Sequence, residues 1–569
     1  MLPDVTGIDK TFDYVVPDSW KEPQRDLAVV GSIVRFDLGG RRLRGWIVAD
    51  NVEPASGVSL RALTKVTGRG PGADIVDLAN WAAERWVGHP SRLLVVASPA
   101  KAVTHLPSVR PSSSVATQAS EVEAAFLALR SVVRLAPRGE SLPYALAAAR
   151  RGNALILVPS AARAIWLSRQ LSNAGVQVAS MPDGWNRAAA GATVVGSRSA
   201  AWAPVVDLAA VVVFDEHDEV YQDERTPTWS ARDVAIERAR RSGAPCVLTS
   251  PNPSLEALEW GDLLVPERNI ERAGWPRVEI IDRRSDDRAR TGLFSDPVVR
   301  AIREEGPVVC VLNRKGRARL LACSGCGELA LCETCSGALV QNDDDHLHCR
   351  SCSTDRPVVC MACGSSTFRR LRMGVTRARE ELEALAGRPV VEVTGTDDSP
   401  LNGADIFVGT EAVLHRVPHA KTVVFLDFDQ ELAALRYRAS EQAFGLLIRA
   451  ARLLGVRSAG GRMLIQTRKP EHEVLVAAAK ADPSYLSEAG QRRRRSLQLP
   501  PFSAMATISG QAAAEFVDNL DDDDSVQLLG PLDDRWLVKA PDHGVLSKYL
   551  RTASRPSGRL RIEVDPLRV

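Results

Sequence analysis

The sequence predicts a multidomain α/β protein. Two parallel, doubly wound segments follow one another, the second interrupted by a cysteine-rich metal-binding insertion. A small mostly-β N-terminal domain and a small α+β C-terminal domain flank them. Three observations predict this. Buried apolar runs alternate with helical stretches twice, over 123–270 and again from about 276, as strands covered by helices on both faces do. Eight cysteines fall in four C-x-x-C pairs inside the second series. The two ends of the chain instead alternate short strand-like segments with polar turns.

Taken in order, residues 1–100 hold TFDYVV, SIVRF and RGWIVA with one amphipathic helix, about Asp74–Val87. Residues 101–122, rich in Ser, Pro and Ala, read as a linker. In 123–270 the strands ALILVP, TVVGS, LAAVVVF and PCVLTS are separated by helical segments, one of them about Ser230–Ser242. The span 271–490 repeats the pattern with VEIID, PVVCVLN, PVVEVTG, ADIFVGT and TVVFLD around an insertion at 320–368. In 491–569 ATISG, VQLLG, RWLVKA and RLRIEV alternate with turns, with a helix expected near 544–553.

A length of 569 residues leaves room for three or more cores, and a net charge of +2 puts no whole-molecule field behind nucleic-acid binding. There are 10 lysines against 62 arginines. No apolar run approaches a membrane span and MLPDVTGIDKTFDYVV lacks the pattern of a signal peptide, so a reducing cytoplasm is expected.

The cysteine pairs are Cys323/Cys326, Cys332/Cys335, Cys349/Cys352 and Cys360/Cys363. Two intervening residues let both sulfurs of a pair face one ion, and four pairs supply two tetrahedral Cys₄ sites of the structural zinc type. Spacing allows three couplings. The closeness of the middle pairs favours a nested one: Cys332, Cys335, Cys349 and Cys352 on one Zn²⁺, and Cys323, Cys326, Cys360 and Cys363 on the other. His346 and His348 are read as spacers, Cys246 and Cys310 as core.

GSRSAAWAP (196–204), DEHDEVYQDERTPTWSARDVA (215–235), NRKGRARLLACSGCGELALC (313–332), YRASEQAFGLL (437–447), LIQTRKPEH (464–472) and LPPF (499–502) occur in that order. Together they resemble the replication restart family PriA, also called primosomal protein N′. The resemblance runs from TFDYVVP to the last residue. It implies two RecA-like helicase lobes with a two-zinc insertion in the second, an N-terminal domain that binds a DNA 3′ end, and a C-terminal domain that contacts DNA. It also implies branched or forked DNA, primosome proteins, single-strand binding protein and the replicative helicase as partners, with a nucleoid-associated location and no membrane. The nested zinc pairing is also the family's.

Against that pattern the motor is altered. A phosphate loop of this type needs G-x-x-x-x-G-K-[ST], whose lysine reaches the phosphates. Here RLAPRGESLPYALAAARRG (134–152) stands in its place, and no lysine occurs between 102 and 314. The family's D-E-E-H becomes Phe214, Asp215, Glu216 and His217. A phenyl ring then occupies the position of the Mg²⁺-linked acid. G-S-A-T-P-S becomes Thr249–Ser254, and the two arginine-finger positions fall on Leu453 and Val456. Arg452 or Arg457 is the substitute a one-step slip would offer. ATP and Mg²⁺ are therefore not expected as cofactors.

The DNA-binding residues the resemblance implies are Phe12, Asp13, Tyr14, Gly39 and Arg61, the last standing where the family has lysine. An aromatic can stack on a terminal base and an acid can accept from a 3′-hydroxyl. Gly39–Arg44 reads as a hairpin turn with a basic tip, and Arg492–Arg495 as a basic helix end able to neutralise phosphates. Asp521–Asp524 reads as an exposed turn. Residues 101–122 are too few for the family's winged-helix domain. The expected function is a fork-binding replication restart scaffold that recruits primosome components without unwinding. The rivals are an active ATP-dependent 3′→5′ helicase with a non-standard nucleotide site, and a zinc module with no DNA role.

Overall fold

In the computed structural model, described here for all residues except 6–7, 9, 55–58, 110–115, 285–291, 305, 314–320, 336, 342–345, 350–351, 371–374, 396–400 and 402, the chain forms two units. The first comprises Met1–Val133, Glu140–Leu264 and Arg494–Pro566, and the second Arg134–Gly139, Val265–Arg493 and Leu567–Val569. Part of the expected linker (110–115) and most of NRKGRARL (314–320) lie outside the described residues.

The first unit is built on a seven-stranded sheet. Its order is Asp262–Leu264, Arg130–Arg134, Cys246–Ser250, Leu208–Phe214, Asn153–Leu157, Thr193–Gly196 and Val178–Ser180. Leu208–Phe214 pairs in parallel with Cys246–Ser250 on one side and Asn153–Leu157 on the other. Its central residues Ala210–Phe214 are all buried, as strands covered on both faces require. The helix Ala231–Ser242 starts where the Ser230 side chain accepts from Asp233 N–H and stops at Gly243, whose φ of +67° supplies the left-handed end.

The N-terminal part adds a four-stranded sheet, ordered Leu2–Pro3, Arg41–Trp46, Ile33–Leu38 and Lys65–Gly68, and the helices Ala73–Arg85 and Pro90–Ala97. Of TFDYVV only Tyr14–Val15 is strand, paired in parallel with Arg61–Ala62. The C-terminal part is an antiparallel sheet, ordered Gln527–Leu532, Arg535–Ala540, Ala504–Ser509 and Arg561–Val564, with the helices Ala513–Asp518 and His543–Leu550.

The N-terminal sheet keeps a small cluster of its own in Val34, Phe36, Ile47, Leu63 and Val66, but a larger core is shared by all three parts. One apolar cluster runs from Leu2, Trp46 and Trp86 through Trp202 and Val213 to Phe516 and Ile562. Arg551 beyond the C-terminal helix donates to the Ala83 carbonyl at 3.4 Å.

The second unit has a six-stranded sheet, ordered Arg277–Asp282, Arg462–Thr467, Thr422–Phe425, Val308–Val311, Ile406–Gly409 and Val390–Val393, every neighbour parallel. The helix Ala439–Leu454 packs with Ala443, Phe444, Leu447, Ile448, Ala451 and Leu454 buried, a stripe at helical spacing. The cysteine-rich insertion forms a two-stranded sheet, Leu321–Cys323 with Phe368–Arg370, and a three-stranded one, Leu339–Gln341, His346–Cys349 and Asp355–Pro357. Its small core joins Leu321, Ala330, Leu339 and Leu347 to Cys332 and Cys349. Among the described residues no helix is long and apolar enough to cross a membrane.

Candidate functional site

Phe214 closes its strand as a buried ring, and its carbonyl accepts from the Tyr221 hydroxyl at 2.6 Å. The next residue, Asp215, turns the chain with φ +53°. Glu216 points inward: its side chain is 0% exposed and accepts from Ser254 N–H at 2.7 Å, Ser254 Oγ at 2.8 Å and Arg232 Nη1 at 3.1 Å. His217 Nδ1 lies 2.7 Å from Ser250 Oγ. The remnant of the third motif thus serves the second through Ser250 and Ser254.

Arg232 also meets Asp233 at 3.0 Å, Asp233 meets Arg85 at 3.3 Å, Arg85 meets Asp565 at 3.5 Å, and Asp565 meets His543 Nε2 at 2.7 Å. Burial pushes the Asp233 carboxyl up, but Arg232 and Arg85 outweigh it and hold it below the usual carboxylate range. An alternating chain of charges therefore ties the end of the strand Leu208–Phe214 to the N- and C-terminal parts. Sequence reading missed it.

The segment that stands where the phosphate loop is expected divides between the units, Arg134–Gly139 in the second and Glu140 onward in the first. In the first, Ser141 precedes the helix Leu142–Arg150 and its Oγ accepts from Arg163 Nη2 at 2.6 Å. In the second, Arg134 pairs with Glu271 at 2.8 Å, and Arg452 Nε donates to the Pro137 carbonyl at 2.9 Å. Leu453 is buried on its helix and Val456 lies just past it, 39% exposed. Arg457 Nε reaches only the Arg272 carbonyl, at 3.4 Å.

The eight paired cysteines converge in two groups, Cys323, Cys326, Cys360 and Cys363, and Cys332, Cys335, Cys349 and Cys352, with all four sulfurs of a group within 4.8 Å. Cross-pair sulfurs are 3.5 Å apart in the first group and 3.4 Å in the second. Zn–S bonds of ≈2.3 Å arranged tetrahedrally put ligand sulfurs about 3.8 Å apart, so both groups fit a structural zinc with no open position.

Each described knuckle closes with an amide donating to a cysteine carbonyl from a left-handed residue: Gly327 to Cys323, Ser353 to Cys349 and Gly364 to Cys360. In each group one thiol, Cys323 or Cys332, is held down to about 6 by amide N–H groups and neighbouring thiols against the pull of burial, while burial and those same neighbours push its partner, Cys326 or Cys335, up to about 12. His346 and His348 are in neither group, and His348 Nδ1 faces Asp355 at 2.8 Å. Cys246 and Cys310 are buried in sheet strands, and burial pushes the Cys310 thiol up to about 12.

At the N-terminal domain the structure gathers Tyr14, Arg61 and the Gly39 turn. Tyr14 pairs with Arg61, packs its ring 4.9 Å from Phe36 and donates its hydroxyl to the Asp37 carbonyl at 2.8 Å. Burial pushes that hydroxyl up, with Arg61 working against it. Gly39 and Gly40 form the two-residue turn between Leu38 and Arg41, with φ of +57° and +79°, angles that suit glycine. Phe12 is half-buried, held by its N–H to the Met1 carbonyl at 2.9 Å, and Asp13 is exposed.

The basic run is corrected. Arg494 is 2% exposed, donating to the Pro500 carbonyl at 2.8 Å and pairing with Glu256 at 3.1 Å. Arg493 pairs with Glu473 at 2.7 Å, and Arg495 with Glu259 at 3.3 Å. The helix Ser484–Ser496 turns each successive side chain by about 100°, so the run cannot present one phosphate-binding face. Asp521–Asp524 are exposed. A second missed feature is Asp427, beyond the strand Thr422–Phe425: burial pushes its carboxyl up to about 6, opposed by the Gln430 amide at 2.6 Å. The LDFDQE stretch, with acids just after an apolar strand, was the available signal.

Residues 2–99 match the family model of the PriA 3′ DNA-binding domain. The probable replication restart protein PriA of Mycobacterium leprae is 30% identical over 371 residues, covering 61% of this chain and 57% of that protein. Replication restart protein PriA of Bacillus subtilis is 27% identical over 352 residues, covering 57% and 44%. The chain thus spans about half the length of the curated relatives it matches. Among solved structures, RecG bound to a three-way DNA junction aligns at a TM-score of 0.37 and 10% identity over 66% of this chain and 46% of that one, a likeness too loose to carry an argument. Its N-terminal residues thus match the PriA 3′ DNA-binding domain, and more than half of the chain is similar to replication restart proteins PriA.

Proposed function

We propose that this chain is a replication restart scaffold: it holds branched DNA at a 3′ end and recruits primosome components without hydrolysing ATP or unwinding. The observation that carries this is the end of the strand Leu208–Phe214. A buried phenyl ring stands where a motor holds its Mg²⁺-linked acid, and Glu216 beside it is neutralised by Arg232 and Ser254. Neither side chain can hold a metal or polarise water. The substitute arginines are also occupied, Arg452 on the Pro137 carbonyl and Arg457 towards Arg272.

The N-terminal domain supplies the DNA function on this reading. Phe12 offers a ring to the terminal base, Asp13 an acceptor for the 3′-hydroxyl, and Arg61 a charge, beside the Gly39 turn. Its boundaries are taken as 1–100, followed by degenerate lobes at 123–270 and 271–490 and a C-terminal DNA-binding domain at 491–569. Two zinc ions hold the insertion as a rigid platform for protein partners, with Met361 and Val359 outward at 67% and 41% exposure.

The test is DNA-stimulated ATP turnover by zinc-replete protein, with binding to a 3′-ended fork followed in the same samples. Tight fork binding without turnover is expected. Turnover that Asp215→Asn abolishes would overturn the reading, because Asp215 is the acid of this stretch that stands outside the buried pair Glu216 forms with Arg232.

A further inference from the structure

The outer face of the N-terminal sheet carries a row of cations that the end-binding residues do not use. Arg35 lies directly opposite Arg44 on one neighbouring strand and opposite Lys65 on the other. Directly opposed residues of an antiparallel ladder share a face, with Cβ atoms about 4.5–5.5 Å apart. Burial agrees: Val34 and Phe36, on either side of Arg35, are 0% exposed on the inner face, whereas Arg35 and Lys65 are exposed and Arg44 half-exposed.

Like charges directly opposite one another destabilise a sheet, so the row contributes nothing to folding. Nearby acids offset it only at the Arg44 end. Asp4 sits 3.6 Å from Arg44 at one end, and Asp37, on the next rung, pairs with Arg42 at 3.9 Å. Among the described residues Arg35 and Lys65 make no side-chain hydrogen bond or ion pair.

We propose that Arg44, Arg35 and Lys65 form a track for the phosphates of a DNA backbone. Strands about 4.7–4.9 Å apart set the cations at a regular pitch, and long side chains can adjust it to successive phosphates. A protein partner would need an apolar centre to its interface. The apolar residues of this face, Ile33 and Trp46, are already buried, Trp46 with its Nε1 on Ser98 Oγ at 2.9 Å. Tyr14 packs against Phe36 on the opposite face, so the track is separate from the end-binding residues. The proposal rests on the reading of this domain as a DNA-end binder and adds to it a contact indifferent to sequence and to the state of the 3′ end.

The test is fluorescence anisotropy of the full chain on a duplex with a free 3′ end and on the same duplex with a 3′-phosphate, across a salt series. Each lost duplex phosphate contact lowers the slope of log K against log salt by about 0.9. The triple variant Arg35→Ala/Arg44→Ala/Lys65→Ala is expected to lose about 2–3 of slope on both duplexes and to keep the preference for the free end. Arg35→Lys with Arg44→Lys keeps the wild-type slope. An unchanged slope in a triple variant that melts like wild type overturns the track alone. Loss of free-end preference in the wild type overturns the end-binding reading, and the change in slope then decides the track by itself. A wild type that binds neither duplex overturns both. Should the triple variant fail to fold, Lys65→Ala alone must lower the slope by about 0.9, and an unchanged slope there overturns the track.

Discussion

Removing Arg232 should unfold the first unit well before it affects anything chemical. Glu216 is fully buried and holds three donors, two of them from Ser254 and the third, Arg232 at 3.1 Å, its counter-charge in direct contact among the described residues. Arg232→Met leaves the carboxylate with two neutral donors and no cation. Stripping one partner from a buried pair costs about 3–5 kcal/mol, and the upper half applies here because Asp233 loses the same guanidinium at 3.0 Å. Glu216→Gln keeps one acceptor oxygen but turns an amide NH₂ toward a serine, costing about 1–3 kcal/mol. The double variant should cost less than the sum of the two, since the charge and its counter-charge leave together.

The assay is thermal unfolding of all three variants. Each kcal/mol moves the midpoint of a large domain by about 2 °C, so Arg232→Met is expected about 8–10 °C below wild type and the double variant closer to it. An Arg232→Met protein melting within about 1 °C of wild type, or strictly additive variants, would refute the structural role given to Glu216.

Zinc content tests the nested pairing: Cys323→Ser with Cys360→Ser should leave one equivalent of zinc by metal analysis, whereas Cys323→Ser with Cys349→Ser should leave none. Arg494→Met is expected to cost about 2–4 kcal/mol in a thermal melt, because Glu256 and the Pro500 carbonyl lose their buried donor, while Arg492→Ala melts as wild type. Burial lowers the His472 imidazole to about 4 from 6.5, so between those values the unfolded chain binds more protons and acidification weakens the second unit. His472→Asn, which keeps an acceptor for Val474 N–H, should flatten that limb. Asp427 slopes the other way: with its carboxyl pushed up to about 6 from 3.8, the folded chain binds more protons across that window, and stability falls as pH rises through it. Asp427→Asn should recover about 1–3 kcal/mol above pH 6, the partial exposure of the side chain trimming the gain.

The cysteine groups were legible because a metal imposes its spacing locally, two residues between ligands, on any chain that binds it. The parallel strands were legible as apolar runs for a similar reason: burial on both faces leaves no room for alternation. What escaped was non-local. Arg232 and Glu216 are only 16 residues apart, but Arg85 and Asp565 are separated by 480 and Arg494 and Glu256 by 238. No local pattern announces such pairs, so a run of four arginines reads as surface until one of them is found inside. The packing of the N- and C-terminal parts against the seven-stranded sheet escaped for the same reason, since a shared core joins Trp46 to Phe516. TFDYVV alternates as a six-residue strand should, but only Tyr14 and Val15 find a partner.

The altered motor motif sorts its residues by what each would cost to change. Glu216 and Arg232 are mutually buried charges, and either one alone would be left unpaired at several kcal/mol. His217 carries a hydrogen bond to Ser250. These positions keep the residues that their packing demands, whether or not ATP is ever bound. Phe214 is different. An acid there serves only a metal, and without one it is a charge at the buried end of a strand with its carbonyl already engaged by Tyr221. Replacing that acid with a phenyl ring removes a desolvation cost and adds apolar burial of about 1.5–3 kcal/mol. Of the two finger positions only Leu453 follows the same logic, lying buried on its helix, whereas Val456 is exposed. On the proposed reading, a chain freed from hydrolysis loses the groups that touch only nucleotide and keeps those that hold the sheet ends together, and Phe214 beside an intact Glu216–Arg232 pair fits that pattern.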